Sequence, residues 1–527
     1  MNQFSAKYAD RIHGVLSGFD RLVFRGTFRG LSYVEGMMAY LSFHNVLLKD
    51  FGAFSERITK RIKRASLGPV EDAGCPIEYL ASPKVSKEET ARRIAQEHGI
   101  TEGPVCVLSS VEPCQTFEVY RNRDAKQIEL VNRTRKCLFL YHYTIDPTFG
   151  FMNARLQTWF PFSIQVCING REWLARQMDH EGLGYVRQDN CFVAVEDYAR
   201  AQALLDAQLR VDWTERLDEI ARRLNPIQEE VLGGYTGRYY WSTYQSEWAT
   251  DLVFREATTL HRLYPLLLRH GMTTLGSADV MRFLGHKLYP GERICPTFLG
   301  EVVSDVKRRE EGVRIKHQVN HNSVKAYDKA YTAHGSVLRI ETTIQDPGDF
   351  KVYRPKEGDP DGPKDWRKLR KGVADLYRRA EVSQASNDRY ANALASVDDR
   401  ATLDECVRKI TEPVLWHNKR VRALRPFDAD DSALLEAVSR GEFAVNGFRN
   451  RNVVAILYGT PESLDPQEAR RRSARVTRQL RMLRAHGLIR KVSHTHRYQV
   501  TDEGRRVLTA LLTARQTPVN QLLPKAA

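Results

Sequence analysis

The sequence predicts an α+β protein of several domains, and three observations lead to this expectation. The chain has 527 residues, which corresponds to two to four domains at roughly 150 residues each. Its 42% hydrophobic and 28% charged residues are typical of a globular protein. Strand-like runs alternate with helical patterns early in the chain, whereas helical patterns dominate later. We expect a mixed α/β domain over 1–210, a largely helical domain with a β-hairpin over 211–425, a C-terminal domain over 426–515 and a flexible tail over 516–527.

The first region contains several apolar runs of strand length between turn residues. One run is followed by a Pro- and Gly-containing turn and a second run, which predicts a β-hairpin. Another leads through Asn169 and Gly170 into a helix at 171–178. The strands that we predict lie at 21–28, 105–108, 137–145, 151–156 and 162–168.

The second region shows mostly helical periodicity, interrupted by two strand-like runs and a stretch rich in Pro, Gly, Asp and Lys. Closely spaced strand-like runs predict a hairpin, and the polar stretch predicts an exposed loop. The predicted elements are a helix at 211–224, a long helix or pair of helices at 239–269, hairpin strands at 323–329 and 336–344, a loop at 346–365 and helices from 366 to 424.

The third region has the most regular pattern. Asp430 or Asp431 supplies a suitable N-cap for its first helix, and Gly487 is a favourable stop for a long third helix. The predicted elements are helices at 430–440, 447–457 and 467–486, strands at 488–492 and 498–501, and a helix at 503–515. This order of elements is that of a winged helix-turn-helix.

The charge of the chain indicates a polyanionic partner. The 80 basic and 65 acidic residues leave a net charge of +15, which favours DNA, RNA or an anionic membrane surface. No apolar run reaches the roughly 18 residues of a membrane span, and residues 1–10 lack the apolar core of a secretion signal. We therefore expect a cytoplasmic protein that binds nucleic acid and not membranes.

Residues 473–504 carry a motif that is similar to one found in a known protein family. Leu480-x-x-Leu483-x-x-x-Gly487-Leu-Ile, followed by Thr501-x-x-Gly504, resembles the winged-helix DNA-binding domains of bacterial regulators of the MarR type. The resemblance covers about 90 C-terminal residues. It implies binding to double-stranded DNA, and because those regulators are small dimers, it also raises a homodimer as an expectation for this larger chain.

The charge pattern of the third region supports the same interpretation. Val476, Leu480 and Leu483 form an apolar stripe at helical spacing that can face a core. Arginines lie mostly off this stripe, where a helix meets the major groove and can bind guanine or phosphate. The residues that we predict to contact DNA are Arg471, Ser473, Arg475, Arg478 and Arg481 of the helix and His494, His496 and Arg497 of the wing. The alternative is a solvated basic helix in a protein-interaction domain.

The predicted hairpin of the second region carries a weaker likeness. Its sequences Ser323-Val-Lys-Ala-Tyr-Asp-Lys and Leu338-Arg-Ile-Glu-Thr-Thr resemble a stretch of the rolling-circle replication initiators of plasmids and filamentous phage. The resemblance implies Tyr327 as a nucleophile that nicks DNA, Glu341 as a metal-side carboxylate, and Lys329 and Arg339 as groups that neutralise phosphate charge.

The sequence departs from that family in its histidines. The chain has no His-hydrophobic-His pair, and the spacing of His317 and His321 suits a helix better than a strand. The alternative for the hairpin is therefore an ordinary ion pair between Arg339 and Glu341.

A carboxylate set for metal-dependent phosphoryl transfer is a separate hypothesis. Glu247 and Asp251 are four residues apart, hence on one face of the predicted helix, and Asp20 precedes a predicted strand. With Glu341 they would bind Mg²⁺ or Mn²⁺, which prefer hard oxygen ligands. The alternative is structural ion pairing of each carboxylate with a nearby arginine.

These observations predict a DNA-binding protein of a mobile element, either a replication initiator or a transposase-like enzyme. A non-catalytic transcriptional regulator with a sensing or dimerising N-terminal body is an alternative, and an RNA-binding protein is another. The aromatic residues of 235–248 would also permit stacking on single-stranded DNA. ATP-binding and dinucleotide-binding glycine motifs are missing from the sequence, which disfavours those chemistries.

Overall fold

The computed structural model describes residues 2–517 with internal gaps. The residues outside the description are 1, 83, 125, 236, 287, 289–299, 310–311, 333–334, 357, 360, 397–402, 441–442, 444–446, 460–464, 493–494 and 518–527. The predicted wing residue His494 and most of the predicted tail therefore lie outside the described residues.

The described strands are labelled in chain order. They are β1 Ile12–Thr27, β2 Ile77–Tyr79, β3 Gly103–Asn122, β4 Gln127–Asp146, β5 Gly150–Gln157, β6 Ile164–Asn169, β7 Tyr185–Gln188, β8 Cys191–Val195, β9 Tyr240–Phe254, β10 Val302–Arg309, β11 Gly312–Val319, β12 Asn322–Thr332, β13 Gly335–Ile344, β14 Lys351–Arg354, β15 Asp365–Lys368, β16 Val414–Trp416, β17 Lys419–Val421, β18 Ile489–Lys491 and β19 Tyr498–Val500.

The described α-helices are labelled in the same way. They are α1 Gln3–Lys7, α2 Val34–Phe43, α3 Phe51–Asp72, α4 Lys87–Glu97, α5 Gly170–Glu181, α6 Tyr198–Asp206, α7 Trp213–Leu224, α8 Gln228–Leu232, α9 Ala257–Thr273, α10 Ser277–Phe283, α11 Leu376–Ala395, α12 Leu403–Thr411, α13 Ala429–Val438, α14 Asn450–Tyr458, α15 Pro466–Ala485 and α16 Asp502–Gln516.

The protein is a mixed α/β structure with a large central sheet. Eleven of the described strands follow the order β10-β11-β12-β13-β9-β1-β6-β5-β4-β3-β2, and the other described strands form two-stranded ribbons. Among the described residues, no helix is long and apolar enough to cross a membrane.

Residue contacts group the chain into two compact units. One unit contains 14–251 and 343–381, and the other contains the described residues of 1–13, 252–342 and 382–527. The predicted boundaries at 210 and 425 are not the limits of these units, and they stay a prediction.

The first unit has a core shared by its strands and helices. Phe24 of β1, Leu156 of β5, Leu174 of α5 and Leu217 of α7 are buried in one cluster. The predicted hairpin is confirmed, because β4 pairs with β5 in the register Phe139–Gln157 to Asp146–Gly150. The predicted strand and helix on either side of Asn169 are confirmed as β6 and α5.

The predicted helix at 239–269 is wrong over its first half. Residues 240–254 form strand β9, and helix α9 begins only at Ala257. Aromatic and β-branched side chains such as Trp241, Thr243 and Thr250 favour a pleated, buried surface over a helix. The second region consequently contains much more sheet than predicted.

Two further expectations for this region need correction. His317 lies on strand β11 and not on a helix. The predicted loop at 346–365 contains β14, which pairs with β15, and the Val352 side chain of β14 is fully buried. Trp366, where helices were expected to resume, belongs to β15. A few apolar residues at alternate positions within a polar stretch are sufficient to form this ribbon, because alternate side chains of a strand lie on the same face.

The elements predicted for the C-terminal region are confirmed within a few residues. The helix N-cap is Asp428, whose side chain accepts a hydrogen bond from the Asp430 amide, so the assignment of the cap to Asp430 or Asp431 is wrong. The hydrophobic core of this region also includes Ile410 and Leu424. Residues before the predicted boundary at 426 therefore belong to the same packed core.

We expect the free energy of unfolding to decrease as the pH falls from about 6.5 to about 4. Burial lowers the pKa of His317 to about 4, and its ring nitrogens lie 2.7 Å from Ser304 Oγ and 3.0 Å from Tyr390 Oη. An unfolded histidine has a pKa of about 6.5, so in this interval only the unfolded state takes up the proton. The lost stabilisation amounts to about 3 kcal/mol at pH 4.

Denaturant unfolding at several pH values measures this effect. His317→Gln should lose less stability than the wild-type protein between pH 6.5 and 4, because the variant has no imidazole at this position. His98→Gln, at an exposed position, is the matched control and should follow the wild-type curve. If the free energy of unfolding depends on pH in the same way for all three proteins, His317 is not the source of the effect.

Candidate functional site

Strands β1 and β9 bring two of the predicted carboxylates opposite each other. The Ser17 hydroxyl donates to Thr250 Oγ1 at 3.1 Å, and the Ser242 hydroxyl donates to the Arg25 carbonyl at 3.2 Å. Residue numbers thus rise along β1 as they fall along β9, which shows that the two strands are antiparallel. The same register places Asp20 beside Glu247.

Asp20 and Glu247 belong to the unit that contains 14–251, where Asp20 is buried and Glu247 is half-buried. Carboxylate oxygens are hard ligands that suit Mg²⁺ and Mn²⁺, so this pair fits the metal expected from the sequence. The third predicted carboxylate, Glu341, is buried and belongs to the other unit.

The fourth predicted carboxylate, Asp251, is paired with an arginine. The fully buried Arg171 side chain donates to Asp251 Oδ2 at 2.9 Å, and Arg171 Nε lies 3.9 Å from Asp20 Oδ1. Asp251 follows Glu247 by four residues, which in a strand is a separation of about 13 Å. Its inclusion with the metal ligands is therefore corrected to a buried ion pair with Arg171.

Asp20 is held from a second side by a polar network. The Asn190 amide donates to Asp20 Oδ1 at 2.8 Å, and the Asn169 amide donates to Asn190 Oδ1 at 2.8 Å. Asn169 also caps helix α5, which begins at Gly170. A Cβ atom at Gly170 would lie 1.7 Å from the Phe19 carbonyl oxygen, so only glycine lets α5 start this close to β1.

Strands β12 and β13 carry a buried, mostly cationic set of side chains, and the Lys325 ammonium donates to Glu341 Oε1 at 2.7 Å. Burial opposes ionisation of Glu341, but Lys325, Arg339 and Lys329 outweigh burial and hold the pKa of this carboxyl below its usual value. Glu341 therefore has an ion-pair partner in Lys325, which the sequence did not indicate.

The predicted nucleophile lies among these cations. Tyr327 is 6% exposed, and the Lys329 ammonium lies 5.5 Å from its ring centre. A phosphodiester would have to enter this buried set before the Tyr327 hydroxyl could attack it. The Lys329 and Arg339 side chains are also buried, where a positive charge interacts strongly with an anion because water is excluded.

Sequence reasoning missed two residues of this region. Lys325 precedes Tyr327 by two positions, so strand periodicity alone places both on one side of the sheet. Arg171 gave no comparable signal, because Asp20 and Asp251 are distant from it along the chain. Only the packing of α5 against the strands brings the three together.

Helix α15 separates apolar from cationic side chains. Asp465 caps its start by accepting from the Glu468 amide, and the helix stops before Gly487, whose φ is +72°. Val476, Leu480 and Leu483 are fully buried. The side chains predicted to contact DNA are all exposed: Arg471, Ser473, Arg475, Arg478 and Arg481.

The exposed residues of α15 differ in their partners. Arg475 donates to Asp430 at 2.6 Å, Ser473 donates to Asn450 at 3.1 Å, and Arg481 lies over the Trp416 ring at 5.6 Å. Arg471, 80% exposed, is 4.0 Å from Glu468. Within the part of the chain that is described, Arg478 has no ion-pair partner.

The ribbon β18–β19 follows α15 directly, in the register Ile489–Val500 to Lys491–Tyr498. Tyr498 also forms an isolated bridge with Phe448, through backbone hydrogen bonds of 2.8 and 2.9 Å. Of the predicted wing residues, His496 is exposed and Arg497 is half-buried.

One glycine of the C-terminal motif has a clear structural reason. A Cβ atom at Gly504 would lie 2.0 Å from the Leu488 carbonyl oxygen, so glycine is required where α16 crosses the start of the ribbon. Thr501 caps the same helix by accepting from the Gly504 amide. The Thr-x-x-Gly pattern therefore encodes a helix cap and a close approach.

In comparisons with known proteins, no family model, no curated protein and no solved structure matches this chain.

Proposed function

We propose that this protein binds double-stranded DNA through helix α15 and the ribbon β18–β19. One observation carries the proposal: α15 buries a continuous apolar stripe while most of its arginine side chains are exposed to solvent. A helix about 10–12 Å across fits the major groove of B-DNA, which is about 12 Å wide. Arginines on the outer surface of such a helix can bind both bases and phosphates.

The order of the surrounding elements supports the proposal. Helix α13, the bridge at Phe448, helices α14 and α15, the two strands and helix α16 follow one another as in a winged helix-turn-helix. In that motif the helix before the wing enters the major groove. The bridge supplies the short third strand, which the sequence did not indicate.

An RNA partner is the less suitable alternative. The major groove of an A-form RNA helix is deep and too narrow for side chains to read, so an arginine-bearing helix has no equivalent docking site there. Binding of the full chain to a DNA duplex and to an RNA duplex of the same sequence, each at several salt concentrations, tests this choice. Tighter binding to the RNA would overturn the proposal.

A second candidate function, metal-dependent nicking of one DNA strand, is favoured by the strand register that places Asp20 beside Glu247. Mg²⁺ or Mn²⁺ held by these two carboxylates would stabilise negative charge on a phosphate. A regulator that does not cut DNA remains the alternative, and its DNA-binding segment would be the same.

Nicking of supercoiled plasmid with Mg²⁺ or Mn²⁺ distinguishes the two. We expect Glu247→Gln to reduce nicking by at least about a hundredfold, since even residues that only support metal ligands account for up to that factor. Tyr327→Phe should prevent any covalent protein–DNA product. Glu215→Gln, at an exposed position of α7, is the control. If the wild-type protein binds duplex DNA but never cleaves it, the nicking function is excluded and the non-catalytic regulator is the function that stands.

A further inference from the structure

The ribbon of strands β16 and β17 has a two-residue turn and two distinct sides. Leu415 pairs with Arg420 and Trp416 with Lys419. The turn residues His417 and Asn418 have φ of +48° and +57°, as the type I′ turn of a tight hairpin requires. Since side chains alternate along a strand, Leu415 and Arg420 share one side and Trp416 and Lys419 share the other.

The side with Trp416 is attached to helix α15. The guanidinium groups of Arg481 and Arg484 lie over the Trp416 ring at 5.6 and 5.1 Å, within the range of cation–π attraction. The His486 ring nitrogen Nε2 lies 2.9 Å from the Arg422 carbonyl oxygen. The ribbon is therefore held against the last turns of α15.

The base of the ribbon is fixed by an ion pair with α13. Arg422 donates from both terminal nitrogens to Asp431, at 2.6 and 2.7 Å. Asp431 is nearly fully buried. Burial opposes its ionisation, but Arg422 outweighs burial and holds the pKa of this carboxyl below its usual value. A bidentate pair of this kind sets the direction in which the ribbon leaves the core.

The opposite side of the ribbon exposes a large apolar residue among positive charges. Leu415 is 75% exposed, more than the other exposed large hydrophobic side chains in the described part of the chain. Residues 413–425 contain four basic residues and no acidic residue. Two of the basic residues, Lys419 and Arg420, are exposed on the ribbon.

An exposed apolar side chain next to arginine is the combination with which proteins open the minor groove of DNA. The apolar group inserts between base steps and the cations hold the backbone. The positive charge of the ribbon is complementary to the negative phosphates of DNA. It would repel a basic protein surface. Its attachment to α15 places it beside the helix that we propose as the DNA-reading element.

We propose that the ribbon β16–β17 is a second DNA-contacting element, which inserts Leu415 into the minor groove next to the site bound by α15 and bends the duplex. This proposal rests on the proposed function. Arg481 then acts as a positioning residue, because its side chain holds Trp416 and only indirectly contributes to DNA binding. This role differs from the direct DNA contact that the sequence predicts for Arg481.

Energy transfer between fluorophores at the two ends of a short mixed-sequence duplex measures the bend. The full-length wild-type protein should raise the transfer efficiency, since minor-groove wedges bend DNA by about 20–90°. Leu415→Ala should bind the duplex but lose this increase. The double variant Lys419→Ala and Arg420→Ala should reduce the slope of log K against log salt concentration by about two units. Leu266→Ala, a leucine exposed on α9, is the matched control.

The outcomes separate this proposal from the proposed function. If Leu415→Ala bends the duplex like the wild type, or if the wild type binds without bending it, the wedge is overturned while duplex binding by α15 stands. If Leu415→Ala leaves duplex binding and bending unchanged but alters the oligomeric state measured by sedimentation, the ribbon is a protein interface and the proposal is wrong. If the wild type does not bind duplex DNA, both proposals fail.

Discussion

Replacing Arg471 and Arg478 with alanine is expected to weaken binding to duplex DNA by at least about tenfold, because one arginine contact contributes about 1–3 kcal/mol. Both side chains are exposed on α15. If each binds a phosphate, the slope of log K against log salt concentration should fall by about two units. Binding isotherms of the full chain at several salt concentrations measure both quantities.

Arg471 and Arg478 are chosen because they make the weakest contacts within the protein: Arg471 is 80% exposed and 4.0 Å from Glu468, and Arg478 has no ion-pair partner in the described part of the chain. Substitution of Arg475 or Arg481 would also remove the contact with Asp430 or with Trp416. Arg93→Ala combined with Arg216→Ala is a matched control, since both are exposed arginines of other helices. An unchanged affinity and slope for the α15 variant would show that this helix is not the DNA-reading element.

Replacing Arg171 with methionine is expected to lower the free energy of unfolding by about 3–5 kcal/mol, the usual cost of removing one partner of a buried ion pair. The Arg171 side chain is fully buried between Asp251 and Asp20. Methionine fills a similar volume but leaves the Asp251 carboxylate without its cation. Denaturant-induced unfolding, with its midpoint and slope, measures the change.

Two further variants make this result specific. Arg176→Met lies on the same helix, where its side chain donates to the Thr101 carbonyl at the surface, and should change stability little. Adding Asp251→Leu to Arg171→Met should recover part of the lost stability, because the Asp251 charge is then no longer buried without its closest cation. A loss below about 1 kcal/mol for Arg171→Met would contradict the assigned ion pair.

The error over residues 240–254 shows why periodicity alone misassigned part of the middle region. Spacing of four residues puts Glu247 and Asp251 on one side of either a helix or a strand. The two structures differ in distance, since four residues span about 6 Å along a helix and about 13 Å along a strand. The prediction that they share a side thus agrees with β9, but the prediction that they share a metal does not.

Local sequence patterns were sufficient to predict the C-terminal elements and the separation of arginine from leucine and valine on α15, since helix caps, glycine stops and periodicity depend on near neighbours. The partners of the carboxylates depend instead on three-dimensional packing. Arg171, Asp20 and Asp251 are far apart in the chain, and strand pairing and the packing of α5 bring them into contact. The attachment of Trp416 to α15 has the same origin, because such contacts leave no local pattern in the sequence.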